Sequence, residues 1–154
     1  MKNNGTELEH NFATALRKSN IPEIKRYLEQ GASPQFSSIL ITPVPFVPVQ
    51  ESCLEALMLL VEYGADLFCR DEHKYNLLHE AIEGLNFTYA DKLQGYKVDE
   101  TIADYLAVIK YLLDQGLSLY DEDKLGNTPL DSIVESEELM LPFLEPYLKK
   151  ETNR

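Results

Sequence analysis

The chain has 154 residues, of which 44% are hydrophobic and 26% charged, the composition of a soluble globular protein with one domain-sized core. Its formal net charge is −12 at pH 7, and the acidity is concentrated, because residues 51–145 contain six Lys or Arg against 21 Asp or Glu. Such a surface repels nucleic-acid phosphates and anionic lipid head groups, so the composition argues against direct binding of either.

The ends and the cysteines bear on localisation. The first ten residues, MKNNGTELEH, are polar and lack the apolar stretch of a signal peptide. The longest apolar runs, such as LEALMLLV, are too short to cross a membrane. The two cysteines, Cys53 and Cys69, make neither a disulfide framework nor a set of metal ligands. These features predict a cytoplasmic protein that carries no cofactor.

Three segments along the chain end in the same way, and they read IKRYLEQGAS, LMLLVEYGAD and IKYLLDQGLS. Each has apolar residues at helical spacing followed by a glycine, which is Gly31, Gly64 or Gly116. Glycine just after the last apolar residue indicates a helix C-terminus, because it adopts the left-handed conformation without steric cost. The first two glycines are 33 residues apart, and the second and third are separated by the same period with 19 extra residues.

A second pattern follows each of these glycines. NLLHEA begins 12 residues after Gly64, TPLDSI begins 12 residues after Gly116, and TPV begins 11 residues after Gly31. Thr128 can cap a helix that starts with Pro129, since the N–H that proline lacks would have no partner in a first helical turn. The chain therefore predicts pairs of helices that repeat with a period of 33 residues.

A 33-residue period with a helix start of the T-P-L-H-x-A type is the pattern of ankyrin repeats, and this chain resembles that family. The resemblance implies an all-α fold, a helical solenoid with short β-turn fingers, in which each helix pair leaves an apolar face for the next repeat to cover. It implies a single domain over residues 8–150, with flexible ends at residues 1–7 and 151–154. The repeats are expected at residues 10–34, 42–66, 76–118 and 128–148, of which the last is truncated.

The second repeat departs from the family pattern. Its segment ITPVPFVPVQ contains three prolines where the first helix should run. Proline inside a helix costs about 3 kcal/mol or more. We therefore expect this segment to be mostly extended or kinked, with Val44, Phe46 and Val47 still packed, and the second helix to be kept at roughly residues 51–63.

The third repeat departs by an insertion, residues 85–103, between its two helices. The end of the insertion is expected to extend the second helix backwards. The remainder is expected to be a loop that carries Phe87, Tyr89 and Tyr96. Long loops in compact domains are often functional, so these aromatic residues are candidates for partner contact.

The end of the chain reads SEELMLPFLEPYL and contains two prolines. Ser136 followed by two glutamates indicates a helix start. The prolines are expected to break this final cap helix. We expect Leu139, Phe143 and Leu144 to face inward.

The resemblance also implies where a partner would bind. In ankyrin-type proteins the tips of the turns and the exposed side of the first helices line a concave face. Glu135 lies on this face by its position in the repeat. Tyrosine and arginine are enriched among the residues that contribute most to binding energy at protein interfaces. The candidate partner-binding residues are Arg70, Glu72, His73, Tyr75, Glu83, Phe87, Tyr89, Tyr96, Glu122, Lys124, Leu125 and Asn127.

These features predict a non-enzymatic protein–protein interaction module that is a monomer when free. Because the face is acidic, we expect a basic protein partner, whose association such a charge pattern accelerates. An inhibitor fits this description, for example an immunity protein that neutralises a toxin enzyme. An alternative is an adaptor or regulatory subunit that links two proteins.

A second alternative is a metal-dependent enzyme that uses Asp121, Glu122 and Asp123. The calcium-loop pattern fits these residues poorly, because Leu125 and Ser132 stand where oxygen ligands are required. Cys69 is a poor candidate for a nucleophile, since no base or pocket is evident beside it. His79 occupies the histidine of the family's helix start, where we interpret it as a residue that hydrogen-bonds the backbone of neighbouring turns.

Overall fold

A computed structural model describes residues 4–152, and every regular element in this range is helical. The elements in chain order are α1 (Asn4–Arg17), α2 (Ile21–Glu29), α3 (Phe46–Gln50), α4 (Leu54–Glu62), α5 (Leu77–Leu93), α6 (Asp99–Asp114), a 3₁₀ turn (Leu130–Ser132) and α7 (Glu137–Thr152). The expected all-α class is confirmed. Within the described range, no helix is long and apolar enough to cross a membrane.

The helices stack in two rows. In the inner row α1 packs on α3, α3 on α5, and α5 on the 3₁₀ turn. In the outer row α2 packs on α4 and α4 on α6, while each inner helix also packs on the outer helix that follows it in sequence. This ladder is the solenoid predicted from the repeat, since each pair of helices covers the apolar face of its neighbour.

The glycines that mark the helix ends have the predicted conformation. Gly31, Gly64 and Gly116 have φ values of 105°, 102° and 103°. The residue after each glycine donates its N–H to the carbonyl oxygen five residues back, at 3.0 to 3.1 Å. This geometry reverses the chain and satisfies carbonyl groups that the helix end leaves free.

The proline-rich segment of the second repeat is more helical than expected. Residues 46–50 form α3, and Pro48 is only the third residue of that helix. An N–H at this position has no intrahelical partner, so the proline removes no hydrogen bond. Val44, Phe46 and Val47 are buried, as predicted, and the second helix is kept as the shorter α4.

The insertion in the third repeat is not the expected loop. Helix α5 continues through the first nine residues of the insertion to Leu93, α6 begins at Asp99, and only residues 94–98 form a turn. Leu85 is fully buried and Asn86 nearly so, which means that the α5 face continues to pack beyond the length of an ordinary repeat. The insertion therefore lengthens both helices of the pair.

The segment expected as the fourth repeat contains one 3₁₀ turn (Leu130–Ser132) followed by α7. Thr128 caps this turn, because its Oγ1 accepts a hydrogen bond from the N–H of Asp131 (3.2 Å) and its own N–H donates to Asp131 Oδ2 (2.9 Å). The predicted break in the last helix is wrong, since α7 is one helix that contains both prolines. Both proline side chains are exposed, so the rings displace no core contact. Leu144 is buried, while Leu139 and Phe143 are partly buried against the core.

Two apolar clusters make up the interior. The N-terminal cluster centres on Phe12, Leu16, Ile24 and Leu28 of α1 and α2, and it receives one face of α3 and α4. The main cluster contains the other face of α3 and α4 with α5, α6 and α7. The second repeat thus separates the two clusters and is shared by both.

A close approach between α5 and α6 ties the repeats together. Tyr105 of α6 lies against Gly84 of α5, where an added Cβ would be 2.5 Å from the tyrosine oxygen. The Tyr105 hydroxyl donates a 2.7 Å hydrogen bond to the carbonyl of Gln50 at the end of α3. Gly84 therefore lets a side chain of the outer row reach the second repeat.

The predicted boundaries of the domain stay a prediction. Of the segment expected to be a flexible N-terminal end, residues 4–7 form the first turn of α1, and residues 1–3 lie outside the described residues. Of the C-terminal end, residues 151 and 152 close α7, and residues 153 and 154 lie outside the described residues.

Candidate functional site

Two turns with the same internal geometry project from the stack, and we call them the first and second fingers (residues 70–76 and 122–128). In the first, Asp71 Oδ1 accepts hydrogen bonds from the N–H groups of His73 and Tyr75, at 2.9 and 3.0 Å. In the second, Asp123 Oδ1 accepts from those of Leu125 and Asn127, both at 2.9 Å. An aspartate that bonds the backbone two residues ahead fixes the turn locally.

The charge of Asp123 contributes to this turn. Partial desolvation alone would raise the pKa of the carboxyl group, but the backbone N–H groups of Asn127, Leu125 and Gly126 outweigh it and lower the pKa. A carboxylate that accepts several backbone hydrogen bonds favours its ionised form. The second finger is therefore held by a charged group at neutral pH.

The fingers are also bonded to each other. The N–H of Lys124 donates to the carbonyl of His73 at 2.9 Å. The Arg70 guanidinium donates to the carbonyl oxygens of Lys74 (2.9 Å) and Glu122 (3.1 Å), and it lies 3.3 Å from Asp121 Oδ2. Arg70, a predicted binding residue, thus spans the two fingers within the chain.

His79 takes part in the same framework, which confirms its interpretation as a structural residue. Its Nδ1 accepts a hydrogen bond from the N–H of Asn76 (3.0 Å), and Asn76 in turn caps α5 by accepting from the His79 N–H (2.9 Å). Its Nε2 is 3.0 Å from the carbonyl oxygen of Asn127 in the second finger. Tyr75 stacks on the His79 ring with 5.0 Å between centroids.

The fingers enclose a shallow pocket of about 290 Å³, which we call the finger pocket. It is lined by His73, Tyr75, Asp123, Lys124, Leu125 and Asn127, five of which are predicted binding residues. Leu125 is 86% exposed at its rim. Partial burial raises the pKa of the Tyr75 hydroxyl, and the negative charges of Glu83, Asp123, Asp71 and Glu80 raise it further.

A second depression of about 370 Å³, the inner groove, lies between α5 and the segment 132–135. The α5 wall carries Glu83, Phe87 and Ala90, which follow one another at helical spacing. The opposite wall carries Val134 and Glu135. The predicted residues Glu83 and Phe87 are thus brought together in this groove.

The floor of the inner groove is fixed by buried hydrogen bonds. Asn86 donates to the carbonyl of Ser132 at 2.6 Å and accepts from the hydroxyl of Ser136 at 2.8 Å. Asn86 and Ser136 are both buried. Because a satisfied buried polar network holds its members in one arrangement, the two walls keep a defined separation.

Other predicted binding residues lie elsewhere. Tyr89 packs partly against the main cluster and does not line the groove. Tyr96 is 64% exposed in the turn after α5, about 25 Å along the helix from the fingers at 1.5 Å per residue. Glu72 is exposed at the first finger, where its carboxylate is 3.8 Å from His73 Nε2, and Glu122 is exposed at the second.

Four residues that line the inner groove were not predicted from the sequence: Asn86, Ala90, Ser132 and Val134. The helical spacing of residues 83, 87 and 90 was visible in the sequence, but it fell in the expected insertion. Val134 belongs to the groove only because the segment 132–135 packs against α5, and no local pattern reports that contact. Asn86 gave a weak signal, as an asparagine between apolar residues of a helix.

In the acidic run 121–123, the side chains of Asp121 and Asp123 are bonded within the fingers. Asp121 Oδ2 accepts from Asn76 Nδ2 at 3.2 Å and lies beside Arg70, and Asp123 holds its own turn. Among the described residues, no group of three or more His, Cys, Asp or Glu is arranged to hold a metal ion. Burial raises the pKa of the Cys69 thiol to about 11, so this cysteine is protonated at neutral pH.

Comparison with known proteins agrees with this architecture. No family model matches the chain. Over 133 residues the chain is 31% identical to a protein of Treponema pallidum (strain Nichols) that is named as ankyrin repeat-containing. The alignment covers 77% of this chain and 45% of the relative, so the chain spans less than half the length of the protein that it matches. The stacked helix pairs and the fingers are consistent with this similarity.

Proposed function

We propose that the chain is an ankyrin-repeat module that binds another protein through the finger pocket and the inner groove. The observation that carries the proposal is that two depressions, the finger pocket and the inner groove, each combine exposed apolar side chains with acidic ones. Leu125 is 86% exposed in the finger pocket, which Asp123 also lines, and Phe87 is 73% exposed in the inner groove, which Glu83 and Glu135 also line. Exposed apolar groups with a polar rim are typical of protein interaction sites.

The charge of the molecule favours a basic partner. In the described part of the chain, no cation lies within ion-pair distance (4.0 Å) of Glu83 or Glu135. A basic protein would supply the missing counter-charge and would be steered toward the acidic face. The association rate is therefore expected to fall as salt rises, and an unchanged rate between about 50 and 500 mM salt would contradict a basic partner.

The role that we favour is an inhibitor, for example an immunity protein that neutralises a basic toxin enzyme. Enzymes that bind the phosphate groups of nucleic acids have basic clefts, and an acidic surface of this kind can occupy such a cleft. The alternative is an adaptor, and it is favoured by a separate depression of about 420 Å³ on the outer row. This outer groove is lined by Ile21, Glu55, Met58, Leu59 and Glu62 and would give the module a second binding face.

The test is a capture experiment with the wild type and two variants, Leu125→Arg and Ile41→Arg. Leu125→Arg places a charge in the finger pocket, and Ile41→Arg is the matched control, because both the leucine and the isoleucine are 86% exposed. Proteins captured from an extract of the source cells are identified by mass spectrometry. We expect one basic protein that binds the wild type and Ile41→Arg but is reduced at least tenfold with Leu125→Arg.

Equal capture by all three forms would mean that the fingers are not the binding site. The captured protein then distinguishes the two roles. For an inhibitor, its enzymatic activity falls when the chain is added. For an adaptor, activity is unchanged, and Met58→Arg in the outer groove releases a second protein while the first stays bound.

A further inference from the structure

We infer that the inner groove receives one apolar side chain of the partner that is flanked in sequence by lysine or arginine. This inference rests on the proposed function, because it names the chemistry of the segment that would occupy part of the same surface. The occupant is a short basic segment of another protein, with an apolar residue at its centre.

The apolar centre of the segment is required by the groove itself. Phe87 and Val134 lie on opposite walls of it and are 73% and 64% exposed, an unfavourable exposure for two large apolar side chains. The volume of about 370 Å³ is near the lower end of the range for ligand pockets, so it suits one side chain better than a large ligand. Since the floor is fixed through Asn86, the groove is already formed without an occupant.

The basic flanks are required by the carboxylates at the edges. One wall contributes Glu83 and the other Glu135, so a segment lying in the groove meets an acid on each side. Glu80 lies one turn earlier in the same helix, and its pKa is raised mainly by burial and further by the charges of Glu83 and Asp71. A cation near Glu83 relieves this crowding of negative charge.

Other occupants fit the groove less well. A second copy of the chain would bring a net charge of −12 to the same place, and like charges facing each other oppose association. A nucleic acid would face the same repulsion. A neutral apolar segment would leave both carboxylates without counter-charge in a contact that excludes water.

The experiment is a titration followed by the methyl NMR signals of Ala90 and Val134 in the groove and of Met58 in the outer groove. The probe is acetyl-Lys-Arg-Leu-Arg-Lys-amide. Two matched peptides replace its central leucine by serine or its four basic residues by glutamate. We expect the probe to shift the signals of Ala90 and Val134 with saturation, the serine peptide to bind about tenfold more weakly, and the glutamate peptide not to bind.

Two variants test the residues. Phe87→Ser removes the exposed aromatic ring, and we expect the probe to bind about tenfold more weakly. Glu83→Gln with Glu135→Gln keeps the size of both side chains, and we expect weaker binding with a smaller dependence on salt. Met58→Ser is the matched control in the outer groove and should leave binding unchanged. Thermal unfolding of each variant confirms that it is folded.

Three outcomes would overturn the inference. Equal binding of the leucine and serine peptides would show a general attraction of charge without an apolar site. Shifts confined to Met58 would move the site to the outer groove. A groove that is covered by self-association, seen as a dimer in sedimentation, would replace the partner segment by a second copy.

The inference and the proposed function can fail separately. If the probe does not bind but Leu125→Arg still abolishes capture of the partner, the function stands and the groove is not the subsite. If the probe binds in the groove but capture is insensitive to Leu125→Arg, the fingers are not part of the interface and the proposed surface is wrong.

Discussion

Asp123 is a single residue on which the second finger depends. Its folded-state pKa is lowered by backbone N–H groups, so the ionised carboxylate stabilises the folded state. We expect Asp123→Asn, which keeps the shape but removes the charge, to lower the urea midpoint at pH 7. The stabilisation is complete above the unfolded-state pKa of about 3.9 and is lost as pH falls through the lowered folded-state pKa.

Unfolding by urea at pH 7, 5 and 3 measures this effect. The difference between wild type and Asp123→Asn should be constant at the two higher values and smaller at pH 3. Asp104→Asn, at an exposed position on α6, is the control and should change little at any pH. A difference that grows at low pH would contradict the assignment.

The pKa shift of Glu80 has the opposite sign to that of Asp123. Its folded-state pKa is raised, mainly by burial, so the folded state disfavours its charge. The penalty is absent below the unfolded-state pKa of about 4.3 and is present in full above the raised folded-state pKa. We therefore expect Glu80→Gln to stabilise the protein at pH 7 by less than about 1 kcal/mol, since the site is partly exposed to solvent.

The measurement for Glu80 is the melting temperature of the wild type and of Glu80→Gln at pH 7 and pH 4. The gain should be largest at pH 7 and should shrink toward pH 4. Destabilisation at pH 7 would mean that the bond of Glu80 to Gln50 outweighs the cost of burial. If Glu80→Gln stabilises the protein but weakens partner binding, the charge of Glu80 contributes to recognition at a cost in stability.

At the scale of the helices, the contact between α5 and α6 allows a sharp test. Replacing a helical glycine by alanine ordinarily stabilises a protein by up to about 1 kcal/mol. At Gly84 the added Cβ would be 2.5 Å from the Tyr105 oxygen. We expect Gly84→Ala to destabilise the protein by about 1 to 3 kcal/mol, because Tyr105 must move and loses its bond to Gln50.

Gly5 is the matched control, since it is also helical and a Cβ added there would meet no atom of another segment within 4 Å. Gly5→Ala should be neutral or stabilising when both variants are unfolded with denaturant. Equal effects of the two substitutions would show that the packing of Tyr105 on α5 does not limit stability.

The helices also show what sequence could and could not predict. The 33-residue period and the glycines that end the helices identified the stack, because both depend on local backbone geometry. The errors arose where position within an element decides the outcome. Pro48 is compatible with α3 only because it lies in the first turn. The extension of α5 was not predicted because the 33-residue period makes residues 85–103 an insertion, although residues 83, 87 and 90 keep helical spacing.

In the candidate site, too, some residues could be predicted from the sequence and others could not. The finger residues His73, Tyr75 and Leu125 could be identified by counting from the repeat, and they line one pocket. The role of Arg70 in joining the two fingers could not be predicted, because it depends on a contact between residues about 50 positions apart in the sequence. Val134 and Ala90 become neighbours only when the fourth repeat stacks on the third.

For the whole molecule, the two apolar clusters predict unequal local stability. The N-terminal cluster is smaller than the main cluster, and the second repeat covers it on one side only. In a linear array each repeat is stabilised by its neighbours, so a terminal repeat opens at lower free energy than a central one. We expect amide protons of α1 and α2 to exchange faster than those of α5 and α6.

Leu16→Ala makes this prediction more specific. Leu16 is fully buried in the N-terminal cluster, and truncation of a buried leucine costs about 2 to 5 kcal/mol. Exchange should accelerate strongly in α1 and α2 and much less in α5 and α6. Equal acceleration throughout the described helices would mean that the chain unfolds as one cooperative unit.

The bonds between the fingers have a consequence for the kinetics of recognition. Arg70, the Lys124 N–H and the His79 ring hold both turns in one arrangement before any partner is present. Little conformational entropy is then lost when the surface is occupied, and the encounter resembles the docking of two rigid bodies. The rate of complex formation would be limited by diffusion and orientation, with no slow step for loop ordering.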